Sequence, residues 1–187
     1  MDTWCLLSIL TDTLQPKYLR NDVDPIRTSG NMIDDVRIIP YEATYRCAFR
    51  DLNLAWVAKY FTVEAKDREQ LENPQERIID KGGVILLAQD AHGDIIGCVS
   101  LIPYQPGVLE LAKMAVHEAT QGRGVGRKLI EAAIDKARSM GARSIYLESN
   151  SVLGPALRLY ERAGFKHLPP ERRPSSPLHT LQCLHDA

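Results

Sequence analysis

Between Leu109 and Ser149 the hydrophobic pattern changes period twice, and this stretch constrains the fold more than any other. Leu109 to Val116 alternates as a strand does. From Gly124 the period lengthens to about 3.6 residues. Val125, Leu129, Ala133 and Ala137 then share one face, and Arg127, Lys128, Glu131, Asp135 and Arg138 the other. Gly141 ends that helix, and Ser144 to Ser149 reads again as a strand. A strand, helix and strand joined in this way form one right-handed parallel crossover. Ligands in such sheets favour the carboxyl ends of the strands, near the point where pairing changes.

The remaining elements arrange themselves around this unit. Val36 to Pro40 reads as a first strand closed by proline. Phe49, Leu52, Trp56 and Tyr60 recur at helical spacing, so Thr44 to Phe61 is an amphipathic helix with those aromatics toward the core. A shorter helix over Ala65 to Leu71 stops before Pro74. Val84 to Gln89 and Ile95 to Pro103 are strands joined by an Asp- and Gly-containing hairpin turn, and Pro106-Gly107 makes the next turn. Pro155 and Gly164 bracket a last short helix, followed by a strand over Phe165 to Leu168 and a proline-rich loop from Pro169 to Pro177. The order β-α-α-β-β-β-α-β-α-β predicts an α+β fold with a mixed, mostly antiparallel sheet. Residues 1–34 lack a period and carry Pro16, Pro25 and Gly30, so they are expected to be a weakly ordered extension before a folded domain over 35–187.

A length of 187 residues suits one domain with a real core. A net charge of -1 provides no global field toward nucleic acid or an anionic membrane, so neither is an expected partner and any anion site must be local. The four cysteines, Cys5, Cys47, Cys98 and Cys183, form no CxxC pair, which suits a reducing, cytoplasmic setting. The apolar patch Trp4 to Leu10 follows Asp2 instead of a basic segment and does not read as a signal peptide. His167, His179, Cys183 and His185 show no zinc-type spacing, and no metal is expected.

The loop Gln121-Gly122-Arg123-Gly124-Val125-Gly126 lies between strand and helix. Its glycines let the backbone turn tightly and approach a ligand without a Cβ clash. The first N–H groups of the helix have no intrahelical partner and sit at the positive end of its dipole, which makes an anion site. Arg123, Arg127 and Lys128 add cationic donors. A glycine-rich turn with solvated basic residues is the plain alternative. No Gly-Lys-Ser/Thr follows, so this is not a P-loop, and the acidic ribose partner of a dinucleotide fold is missing.

In two motifs the chain resembles the GNAT acetyltransferases: Gln/Arg-x-x-Gly-x-Gly/Ala between a strand and a helix, and Tyr160-Glu161-Arg162-Ala163-Gly164-Phe165, similar to the family's Tyr-Glu-Lys-x-Gly-Phe segment. Both stand at the family's separation, and the likeness runs from about Val36 to Leu168. It is nearest to bacterial-type members with a segment such as Glu148-Ser149-Asn150-Ser151. The resemblance implies a GNAT fold, with a six- to seven-stranded sheet flanked by about four helices. Residues 1–34 have no counterpart in it, and Leu178 to Ala187 match a seventh strand poorly.

The resemblance also implies roles. Acetyl-CoA would be the acetyl donor. Met114, Ala115 and Val116 would bind its pantetheine arm through their backbone, beside a strand bulge. Gln121, Gly122, Arg123, Gly124, Val125 and Gly126 would take the pyrophosphate, with Arg127 and Lys128 at its edge. Asn150 would reach the pantetheine or the following helix. Tyr160 would stand near the thioester sulfur as proton donor, against the alternative of a core tyrosine. Glu110 is placed by alternation on one face with Ala112 and Met114, where several members carry their glutamate base; an exposed strand glutamate is the alternative, and Glu148 is the reserve.

An amine must lose its proton before it attacks, which is the chemical need for such a base. A backbone N–H, that of Val116, would meet the developing oxyanion. The acceptor would be a small-molecule amine or a protein amine; family members are often dimers, so by analogy alone a homodimer is open. A sensor or interaction module that binds acyl-CoA without turnover is the competing reading, and it would not need Glu110 or Tyr160.

Overall fold

The computed structural model describes residues 35–60, 65–168 and 179–184. The expectations for residues 1–34 and for the proline-rich loop lie outside them. Seven strands form one sheet in the order β1-β2-β3-β4-β5-β7-β6: β1 is Arg37–Pro40, β2 Val84–Gln89, β3 Ile95–Gln105, β4 Val108–Val116, β5 Ser144–Ser149, β6 Lys166–His167 and β7 His179–Leu184. The helices are α1 (Arg46–Tyr60), α2 (Ala65–Glu72), α3 (Val125–Ser139) and α4 (Gly154–Arg162). Among the described residues the expected α+β class is found, with seven strands and four α-helices.

Local chemistry accounts for most of these elements. The β2–β3 turn is closed by Asp90, whose Oδ1 accepts from the N–H groups of His92 and Asp94, both at 2.9 Å. In α3 the predicted stripe is buried, with Val125, Leu129, Ile130, Ala133, Ile134 and Ala137 inward. α4 begins with proline in its first turn and is followed by Gly164 at φ 93°. An extra helical turn over Gln75–Ile79 buries Ile78 against the sheet. Sequence reading missed it because Asn73-Pro74 signals a stop.

The strands from β1 to β4 pair antiparallel. β4 then pairs parallel with β5 across the α3 crossover, as expected. Two apolar cores cover the two faces. One gathers α3 with Val99, Leu101, Leu109, Leu111, Ile145 and Leu147 of the sheet. The other gathers Phe49 of α1, Leu71 of α2 and Ile78 with Ile85, Leu87, Cys98 and Ala115. Trp56 is partly buried against this second core, as its helical position predicts.

The tail corrects the sequence reading. His179–Leu184 is a strand, inserted between β5 and β6 and antiparallel to both, with Leu181 opposite Leu147 on one side and His167 on the other. Its residues carry a weak strand pattern. The pairing is decided by the outer edge of β5, whose backbone groups need partners and for which β6, two residues long, offers too few.

Candidate acyl-transfer site

The geometry begins with one extra residue in β4. Cys98 and Ser100 are two apart on β3, but their partners Ala115 and Ala112 are three apart on β4. Lys113 and Met114 thus share the single opposing residue Val99, which is a bulge. Lys113 takes φ 49°, a left-handed conformation rare for a residue with a side chain.

The bulge reverses the alternation. Leu109 and Leu111 before it lie in the α3 core, so Glu110 and Ala112 face the α1 side. Beyond it Met114 and Val116 pack on the α3 core and Ala115 joins the α1 core. The expectation that Glu110, Ala112 and Met114 share a face is therefore corrected for Met114. A period of two does not survive an inserted residue.

The same region opens a gap. Parallel pairing of β4 with β5 runs through Val108–Ser144, Leu109–Ile145 and Glu110–Tyr146 and stops there. β5 continues to Ser149 with β7 as its partner. Past Glu110 the strands part. The His117 N–H donates to the Ile96 carbonyl at 2.9 Å, which makes Val116 and Gly97 a non-hydrogen-bonded pair. The N–H and C=O of Val116 accordingly point away from β3, toward the gap.

At the mouth of the gap stands the glycine loop. Gly122 at φ 76° and Gly124 at φ 80° adopt conformations that residues with a Cβ rarely take. Gly124 is the N-cap of α3 and offers no side-chain cap, so the first N–H groups of a 15-residue helix remain for a ligand. A Cβ on Gly126 would come within 3.0 Å of Leu159 and 3.5 Å of Met114, so glycine there lets α3 close on α4 and on the end of β4. The Gln121 amide donates to the Val116 carbonyl at 3.1 Å and ties the loop to the strand. Arg127 lies 3.7 Å from Glu131 on the exposed side of α3. Lys128 gives one of its donors to the Val36 carbonyl at 3.2 Å.

Two groups of side chains flank the gap, one on each face of the sheet. On the α3 face the Tyr160 hydroxyl lies 3.8 Å from the Met114 sulfur, and its ring meets Phe165 edge-on. Burial pushes the Tyr160 phenol up to about 12. It holds its proton across the neutral range and is a weaker acid than a free phenol. At neutral pH the hydroxyl is therefore a hydrogen-bond donor, held beside the Met114 sulfur on the α3 face. Asn150 accepts from the Val152 N–H through Oδ1 at 3.1 Å, turning the chain from β5 into α4 and keeping its Nδ2 as a donor.

On the α1 face, Tyr146 donates to Glu148 at 2.5 Å and stacks on Tyr104, with ring centroids 4.7 Å apart. The Tyr146 phenol is raised by burial first, then by its bond to Glu148 and by the charges of Glu148 and Glu110. The structure thus brings both candidate bases, Glu110 and Glu148, to one side of the gap, beside two tyrosines that sequence reading passed over. Tyr146 was legible, since it precedes Glu148 by one strand period. Tyr104 arrives through the β3–β4 hairpin and left no local signal. Among the described residues no group of three or more His, Cys, Asp or Glu side chains is placed to hold a metal ion, and no helix is long and apolar enough to cross a membrane.

Known proteins align with this arrangement. The model of the Acetyltransferase (GNAT) family matches residues 49–165. An uncharacterized N-acetyltransferase of Schizosaccharomyces pombe is 33% identical over 103 residues, which are 54% of this chain and 63% of that protein, so the chain spans less than two thirds of this relative. A GNAT-family acetyltransferase from Staphylococcus aureus has a similar structure, with a TM-score of 0.72 at 23% identity over 80% of this chain and 98% of the other. The yncA protein of Salmonella typhimurium, solved with its cofactor acetyl-CoA, matches with a TM-score of 0.66 at 20% identity over 81% of this chain and 95% of the other. At these identities the two structures speak for the fold.

Proposed function

This chain belongs to the GNAT acetyltransferase family, and on that premise we propose that it transfers an acetyl group from acetyl-CoA directly to an amine acceptor. The observation that carries the reading is the parting of β4 and β5 after Glu110 and Tyr146, with the uncapped start of α3 at its mouth. A long ligand with an anionic end fits such a place. The helix N–H groups and the glycine loop hold the pyrophosphate, and the inward-facing backbone of Val116 pairs with the arm as an added strand would.

Acetyl-CoA supplies an activated acyl carbon; the protein supplies everything around it. Tyr160 donates its hydrogen bond from the α3 face, where the thiol must leave. Glu110, with Glu148 as reserve, takes the proton of the incoming ammonium from the α1 face. The N–H of Val116 stabilises the charge that develops on the carbonyl oxygen. The acceptor is a small-molecule or protein amine entering from the side of Tyr104 and Tyr146. A thermal-shift titration with acetyl-CoA, followed by a thiol-release assay over an amine panel, tests the proposal. A melting temperature unmoved by saturating acetyl-CoA overturns it, and stabilisation without thiol release for any amine favours a binding module.

A further inference from the structure

The strained bulge of β4 is held by a chain of side chains that starts on another element. Asn53 of α1 is 3% exposed. Its Nδ2 donates to the Phe49 carbonyl at 2.9 Å and to the Cys98 sulfur at 3.2 Å. Cys98, fully buried on β3, donates its S–H to the Lys113 carbonyl at 3.5 Å. Two residues along β3, the buried Ser100 hydroxyl donates to the Ala112 carbonyl at 2.8 Å. The carbonyls of Ala112 and Lys113 are thus both fixed from β3.

A left-handed residue other than glycine costs about 1–2 kcal/mol and persists where its surroundings over-determine it. At Lys113 those surroundings are this set of bonds. The bulge in turn decides which way the backbone of Met114, Ala115 and Val116 points. We propose that Asn53, Cys98 and Ser100 are positioning residues: through the Ala112 and Lys113 carbonyls they set the register of the strand end that receives the pantetheine arm. The inference rests on the acetyl-CoA reading above. It assigns to Cys98 a role that neither a nucleophile nor an inert core thiol would have. The sulfur is inaccessible, its pKa is pushed up to about 12 by burial, and it keeps the proton that it donates. It also links α1, which packs on the side where the acceptor enters, to the strand that binds the donor.

The test measures acetyl-CoA affinity and melting temperature for the full chain and four variants. Cys98→Ala removes the hub, and Cys98→Ser keeps a donor of the same sense. Asn53→Ala removes the link to α1 while improving helix propensity, so it keeps the fold if Cys98→Ala does not. Ile78→Ala truncates the same apolar core elsewhere and serves as the structural control. The expected result is a tenfold or larger loss of acetyl-CoA affinity in Cys98→Ala, a two- to fivefold loss in Asn53→Ala, recovery of most of the affinity in Cys98→Ser, and retention of it in Ile78→Ala despite a lowered melting temperature. Unchanged affinity in Asn53→Ala or Cys98→Ala, or an equal loss in Ile78→Ala, overturns the inference. Failure of the unaltered chain to bind acetyl-CoA overturns the functional proposal itself, so the two failures are distinguishable.

Discussion

Glu110 and Met114, four residues apart on one strand, face opposite sides of the sheet because the bulge at Lys113 lies between them. Glu110 shares its side with Tyr146 and Glu148, whereas Met114 meets the Tyr160 hydroxyl at 3.8 Å. The proton acceptor and the hydrogen-bond donor of the proposed reaction therefore approach from the two faces, and the gap between β4 and β5 is where they meet. This division of labour generates the expectations that follow.

Gly124→Asp should abolish the stabilisation by acetyl-CoA. The substitution forces a side chain into a left-handed N-cap at a cost of about 1–2 kcal/mol. It also places a carboxylate where the pyrophosphate would sit. Thermal-shift titration reads both effects, as a lowered melting temperature without ligand and a lost ligand response. A full ligand response in the variant would remove the α3 N-terminus from the site.

Tyr160→Phe should lower turnover by roughly ten- to a thousandfold while leaving acetyl-CoA affinity near that of the wild type, since the ring still packs on Phe165 and the donor is gone. The same residue predicts an alkaline signature. Its folded pKa of about 12 lies above the usual 10 of an unfolded tyrosine. The stabilisation is therefore complete below about pH 10 and is lost as pH rises through about 12. Denaturant unfolding across that window should show a shallower decline in Tyr160→Phe than in the wild type.

The two carboxylates on the α1 face are separable by pH. Glu110→Gln should shift the rate profile so that activity climbs toward high pH, where free amines lose their own proton near 10, while the wild type has levelled off. Glu148→Gln should lower the rate without that change of shape. Reversed behaviour would transfer the role of base to Glu148, and parallel profiles in both variants would exclude a carboxylate base from this face.

Leu181→Pro should destabilise the domain by about 1–3 kcal/mol, because β7 is flanked by strands on both sides and proline removes a ladder donor, leaving its acceptor unsatisfied. Unfolding in denaturant measures it. A change within 0.5 kcal/mol, the range of an ordinary surface substitution, would mean that β7 does not stabilise the sheet.

The sequence by itself determined most of the elements and the glycine loop that opens α3. The period shifts from Leu109 to Ser149, the turn residues and the glycines are all local signals, and each acts within a few residues of the atoms that it arranges. Hence α3, its uncapped start and the parallel crossover were legible, and so was the family. What only the tertiary structure decided was orientation across the sheet. The bulge at Lys113 depends on bonds from Asn53, Cys98 and Ser100, each far away in the chain. The stacking of Tyr104 on Tyr146 depends on a hairpin, and β7 depends on the open edge of β5. Periodicity assumes that every residue advances the pattern equally. One unpaired residue breaks that assumption, and the free energy that keeps it there comes from partners distant in sequence.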